Sequence, residues 1–183
     1  MIPKIGLKKA SALAISAVGI MLLLLLFYAG ASYAYRESAR SAVISPAYSF
    51  FVNVDNNNYK KAWSYLTAMS KKSIVLNIEN AYKKDKISIN PSKIDKSMKS
   101  GGRIAKAYWR GFLKSFNPRI VLKYSKWKIK FIHSNAAEIQ INYKYSKQAA
   151  FFKLFKENNK WKFGLVESFL NRTILGDIAA KIF

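Results

Sequence analysis

Three of the nine acids and the one imidazole are the candidates for moving protons: Asp55, Asp95, Glu138 and His133. Acid–base catalysis needs such a group held in an enclosed pocket, beside the atom it protonates. His133, the only histidine, falls in "HSNA", a turn between two strand-like runs, and turns lie at the surface. Asp55 opens the turn "DNNN", and Glu138 alternates away from Ile139 and Ile141. Pattern places no carboxylate on a core face, and Asp95 stays open as a pocket acid. With one histidine and no cysteine the usual zinc sets cannot form, and no calcium loop or phosphate-cradling glycine loop is present. The expectation is a protein without catalytic residues, cofactor or metal.

The elements around these residues read as helices first and strands later. "ISPAYSFFVNV" predicts a helix capped by Ser45, with Pro46 at its first position and Tyr48, Phe51 and Val52 on one face. After "DNNN", Tyr59, Ala62, Trp63 and Leu66 recur at i, i+3, i+4 and i+7, the signature of a second helix. "KKSIVLNIENAYKKDK" suits a short helix or a strand, and "SINPSKIDKSMKSGG" reads as a mobile connection ending at Gly101-Gly102. "RIAKAYWRGFLKSF" is the clearest helix. Ile104, Ala105, Tyr108, Trp109, Phe112, Leu113 and Phe116 form its apolar stripe, and Arg103, Lys106, Arg110 and Lys114 its basic face.

Beyond Asn117-Pro118 the period changes to two. "RIVLKYSKWKIKFI" predicts one bent strand, its phase switching from Ile120, Leu122 and Tyr124 to Trp127, Ile129 and Phe131 through a β-bulge. "AEIQINYKYS" returns with Ile139, Ile141, Tyr143 and Tyr145 on one side. "QAAFFKLFK" and "KWKFGLVES", joined by "ENN", complete four antiparallel strands. Ile174, Leu175, Ile178, Ala179 and Ile182 predict a closing amphipathic helix over 169–183.

A short helix, the "NNNYKKAWSYLT" helix, a third helix and then a bent antiparallel sheet resemble the nuclear transport factor 2-like superfamily, in its exported, membrane-anchored bacterial type. The resemblance covers about Ser45 to Ser168. It implies an α+β cone, with about three helices packed on a curved sheet of about four strands and a pocket at the wide end. Members include isomerases and dehydratases, ligand carriers, and membrane-anchored scaffolds of secretion machines. The long connection from Lys71 to Gly102 and the last helix depart from that pattern.

The N-terminus predicts the location. Residues 1–9 are basic and 10–35 hold the run Ala12–Ala29, long enough to cross a bilayer as a helix, which takes roughly 20 residues. "AGA" (Ala29–Ala31) and "SYA" (Ser32–Ala34) also offer small residues of the kind signal peptidase reads, so anchor and cleaved signal both stand. Lys4, Lys8 and Lys9 keep the N-terminus in the cytoplasm. The expectation is a single-pass inner-membrane protein with a linker over 36–44 and a periplasmic or otherwise extracytoplasmic domain over 45–168.

The net charge is +23, of which residues 36–183 carry +20. So basic a domain is drawn to an anionic membrane surface or an acidic envelope protein, and outside the membrane nucleic acid drops to a minor reading. Two sets of residues could serve function. Lys126, Lys128, Lys130, Lys144, Lys160 and Lys162 alternate onto one outer sheet face, a basic docking face for a scaffold or accessory subunit, with a homodimer open. Tyr108, Trp109, Phe112, Trp127, Ile129, Tyr143, Tyr145 and Phe163 crowd the inner face, as a plain core or as a pocket for a lipid or other hydrophobic ligand. A non-enzymatic docking domain is the leading reading and a carrier or sensor the alternative. An isomerase-like enzyme would need a carboxylate beside a pocket tyrosine.

Overall fold

The computed structural model describes residue 21, residues 25–28 and residues 37–169 of the chain. It divides into two compact units, Met1–Ser41 and Ala42–Phe183. The described residues of the first unit are helical. Most of the run Ala12–Ala29, and all but Phe169 of the helix predicted over 169–183, lie outside the described residues. Among the described residues no helix is long and apolar enough to cross a membrane.

The second unit is α+β. It opens on α1 (residues 42–55), and the described residues expected as a linker, 37–41 in the first unit and 42–44 in the second, are helical. Ser45 and Pro46 therefore lie inside a helix, not at its start. Val43, Ala47, Phe50, Phe51 and Val54 are buried along one stripe that begins before the proline. That continuous burial outweighs the roughly 3 kcal/mol a mid-helix proline costs. The same stripe leaves Tyr48 on the rim, 44% exposed.

Asn57, at φ 57°, turns the chain into α2 (Tyr59–Tyr65), whose Tyr59, Ala62 and Trp63 are buried as their spacing predicts. Thr67 caps α3 (Ala68–Lys84), so the stretch left between helix and strand is a helix of 17 residues. The expected mobile connection contains another, α4 (Pro91–Ser100). Asn90 caps it, Pro91 occupies its first turn, and Gly101 ends it at φ 70°. Its holding side chains are Ile94 and Met98, one turn apart and fully buried. The basic amphipathic helix follows as α5 (Arg103–Ser115).

A further correction concerns residues 118–124, which form α6 (Pro118–Tyr124) and not the first half of a strand. Asn117 accepts from the Arg119 N–H at 3.1 Å, and proline suits a first helical turn. The phase change at Ser125 is thus a passage from helix to strand. A register shift does occur, but later, between Ile129 and Phe131 of β1 (Ser125–Ile132).

β2 (Ala136–Tyr143), β3 (Ala150–Glu157) and β4 (Lys160–Gly164) complete an antiparallel sheet in the order β1-β2-β3-β4. Asn158 and Asn159, both at positive φ, make the tight β3–β4 turn. β4 stops at Gly164, and "LVES" enters the short helix α7 (Leu165–Phe169). Helices cover one sheet face. The Phe51 ring of α1 meets Phe152 at 5.2 Å and Phe163 at 5.5 Å, while Phe50 links the sheet to Trp109 of α5 at 5.6 Å.

Candidate functional site: the lysines of the sheet

Register decides which of the predicted lysines share a face. Lys126 stands opposite Asn142 and Lys128 opposite Gln140 on β1–β2, Phe155 opposite Lys162 and Glu157 opposite Lys160 on β3–β4. Following these pairs across β2–β3, where Glu138 faces Lys153 and Gln140 faces Phe151, puts all these side chains on the face away from α1. The face is not one continuous patch. Its β1 and β4 lysines stand three strand spacings apart, about 14 Å, with Glu138, Phe151, Lys153 and Phe155 between them.

The six lysines differ in what they touch. Lys130 Nζ lies 3.4 Å from Glu138 Oε1 and 4.5 Å from the centre of the Phe151 ring. Lys162 Nζ donates to the Ser64 carbonyl at 2.7 Å, so it holds the C-terminal end of α2. Lys144 follows β2 in a turn, its ammonium 5.2 Å from the Tyr145 ring. Lys126 and Lys128 are exposed on β1, with no ion pair recorded to them among the described residues.

Sequence reasoning missed a second basic cluster. Lys71 of α3 lies near Lys162 and Lys99, with Glu157 and Asp95 close by. Burial first, and then the Lys162 charge, hold its ammonium below the ordinary lysine value. Nothing in the sequence pointed to it, because α4 was read as a loose connection.

Acids are mostly committed to structure. Asp55 pairs with Arg119 Nε at 2.9 Å and 3.0 Å, Asp95 with Lys99 at 2.6 Å and Glu79 with Lys83 at 2.8 Å. Glu157 accepts the Ala68 N–H at 2.8 Å, at the start of α3. Glu167 accepts from Thr67 at 2.6 Å and from Ser70. Glu138 does lie on the face away from Ile139, yet it is only 7% exposed, covered on its own side of the sheet. His133 is exposed in the β1–β2 turn. Among the described residues no three metal-ligating side chains gather.

The predicted pocket residues separate into three places. Trp109, Phe112 and Phe163 are buried around Phe50, at 5.6, 6.5 and 5.2 Å between ring centres. Tyr108 packs on Trp109 at 4.9 Å, and burial pushes its hydroxyl well above the ordinary tyrosine value. Trp127 and Ile129 are half-buried on β1, Trp127 against Phe152 at 5.8 Å. Tyr145 is no part of the inner face. It lies past the end of β2, 67% exposed, and joins Tyr143 and Tyr124 in a surface cluster. Among the described residues the buried indole nitrogens of Trp63 and Trp109 have no hydrogen-bond partner. No family model matches the chain, nor does any curated protein or solved structure.

Proposed function

We propose that this chain is a non-enzymatic, membrane-tethered envelope protein whose domain docks an acidic partner through the lysines of β1. One observation carries the reading. Among the described residues Lys126 and Lys128 project from an edge strand with no ion pair, whereas six acids of the domain have partners of their own. Their charge is therefore unmatched within the described domain, which supports a role in meeting an acidic partner. Near an anionic surface each lysine contributes about 1 kcal/mol before screening, over a reach of roughly 8 Å.

The tether rests on the sequence. An apolar run of bilayer length, preceded by Lys4, Lys8 and Lys9, supports a domain held outside the cytoplasm on a single span. The nuclear transport factor 2-like cone belongs to the same proposal, and α1 packed on one face of a four-stranded antiparallel sheet, with α5 against α1, supports it. Ring contacts of Phe50 and Phe51 with Trp109, Phe112, Phe152 and Phe163 support a packed core over a carrier's cavity.

The test is binding of the full chain, in uncharged detergent, to immobilised polyglutamate. Lys126→Glu with Lys128→Glu should abolish binding. The same reversal at two exposed lysines of α3, Lys72 and Lys84, should leave most of it. Equal losses from both pairs would reduce the effect to net charge and refute a docking face. A stoichiometric lipid-sized adduct in native mass spectrometry would overturn the reading in favour of a carrier.

A further inference from the structure

The sheet has two edges, and the chain finishes them differently. Along β4, Leu66 bridges to Phe163 and the Thr67 N–H donates to the Phe163 carbonyl at 3.1 Å, so the chain entering α3 meets that edge. At the other end of the order stands β1. Among the described residues no segment is hydrogen-bonded along its outer side.

The ladder's phase tells which groups face outward there. The Lys144 N–H donates to the Tyr124 carbonyl at 2.9 Å, which makes Lys126–Asn142 and Lys128–Gln140 the hydrogen-bonded pairs further along. The N–H and C=O of Trp127 and Ile129 then point away from β2. A row of such groups is a template for another strand.

The side chains flanking that row differ on its two sides. On one side stand the exposed Lys126 and Lys128. On the other are the half-buried Trp127 and Ile129, with Tyr48 edge-on to Trp127 at 5.6 Å. An incoming strand must alternate to match: acids beside the lysines, apolar residues beside Trp127 and Ile129. A second copy of β1 fits poorly, because it would set lysine against lysine across the new ladder. The bulge after Ile129 limits regular pairing to the stretch before it.

Building on the basic-face reading, we propose that β1 takes up, as a fifth strand, an extended segment of a partner protein with acidic residues at alternate positions and apolar residues between. The backbone supplies the attachment and the two lysines choose the partner.

The experiment titrates the full chain, in uncharged detergent, with a short synthetic peptide alternating glutamate and valine. Hydrogen exchange over residues 125–132 is the readout. Saturable binding that slows exchange there supports the proposal, as does a loss of about tenfold when alternate peptide amides are N-methylated. Equally tight binding of the methylated peptide, or binding without protection of β1, overturns strand addition while the basic face stands. So does binding of phosphatidylglycerol vesicles with none of the peptide, which assigns the face to a membrane. If peptide, polyglutamate and vesicles all fail to bind, the inference and the function reading fall together.

Discussion

Replacing Ser70 with alanine should destabilise the domain far more than the loss of one surface hydroxyl would. Ser70 is fully buried one turn into α3, and its Oγ has two partners from the far end of the chain. It donates to the Glu167 carboxylate and accepts the Val166 N–H at 3.0 Å. Thr67, 1% exposed, supports it by accepting the Ser70 N–H at 3.0 Å and donating to the other carboxylate oxygen at 2.6 Å. Alanine keeps the volume nearly unchanged, so no cavity term enters. It removes one hydrogen bond to a charged group, worth about 1.5–3 kcal/mol, and leaves an amide unpaired at a further cost of about 1–3 kcal/mol. Glu167 keeps its Thr67 bond, and the site can relax, so the expected loss is about 3 kcal/mol. Urea unfolding of the full chain in detergent, followed by tryptophan fluorescence, measures it. Ser64→Ala is the control: that hydroxyl bonds the Lys61 carbonyl on an exposed surface, and its loss should cost under about 0.5 kcal/mol. A Ser70→Ala loss below about 1 kcal/mol would refute the claim that this cluster ties α3 to the end of the sheet.

Substitutions at three further positions probe other parts of the fold. Tyr108→Phe should flatten the alkaline arm of the stability profile. The folded hydroxyl holds its proton above the ordinary value, so above about pH 10 the unfolded chain binds fewer protons and wild-type stability falls; denaturation midpoints between pH 9 and about 11 would show it. Gly101→Ala should lose roughly 1–2 kcal/mol, because the residue sits at φ 70° and a Cβ would come within 3.3 Å of the Lys60 backbone nitrogen. Thermal melting of Gly101→Asn, which tolerates that conformation better, should show a smaller loss. Phe50→Ala should cost about 3–5 kcal/mol, since that ring touches Phe51, Trp109, Phe112 and Phe163; a melt little different from wild type would argue against a single shared core.

What the sequence revealed depended on how long each pattern ran. Tyr59, Ala62, Trp63 and Leu66 span two helical turns, and Ile139 and Ile141 alternate cleanly with polar neighbours, so α2, α5 and β2 were legible from period alone. α6 is seven residues long, no shorter than α2, but its apolar residues pick out no helical stripe. Over that length Ile120, Leu122 and Tyr124 alternate as well as a strand would, and Asn117-Pro118 reads equally as the end of one helix or the cap of the next. α4 hid in polar composition: only Ile94 and Met98 bury, although Asn90, Pro91 and Gly101 carried its boundaries. Tyr145 kept the parity of β2 beyond the point where the strand turns. For the lysines, alternation gave the face but not the partners. Lys162 reaches a carbonyl 98 residues earlier in the chain, and Lys130 meets Glu138 across a register shift, contacts that no local spacing encodes.

Lysine on an edge strand has an ordinary explanation, which is protection against pairing with other sheets. That explanation accounts for Lys126 and Lys128 but not for what lies on the other side of the same strand. Trp127 there packs on Phe51 and Phe152 of the core, and pure protection would also cover the open edge, as Leu66 and Thr67 do for β4. Instead β1 keeps Trp127 and Ile129 half-exposed beside Tyr48, and its bulge comes only after Ile129, leaving the stretch before it regular. Under the strand-addition proposal, charge on one side and apolar surface on the other would penalise a neutral or basic strand and accept an acidic, amphipathic one. Protection and selection are then the same arrangement, acting on different partners.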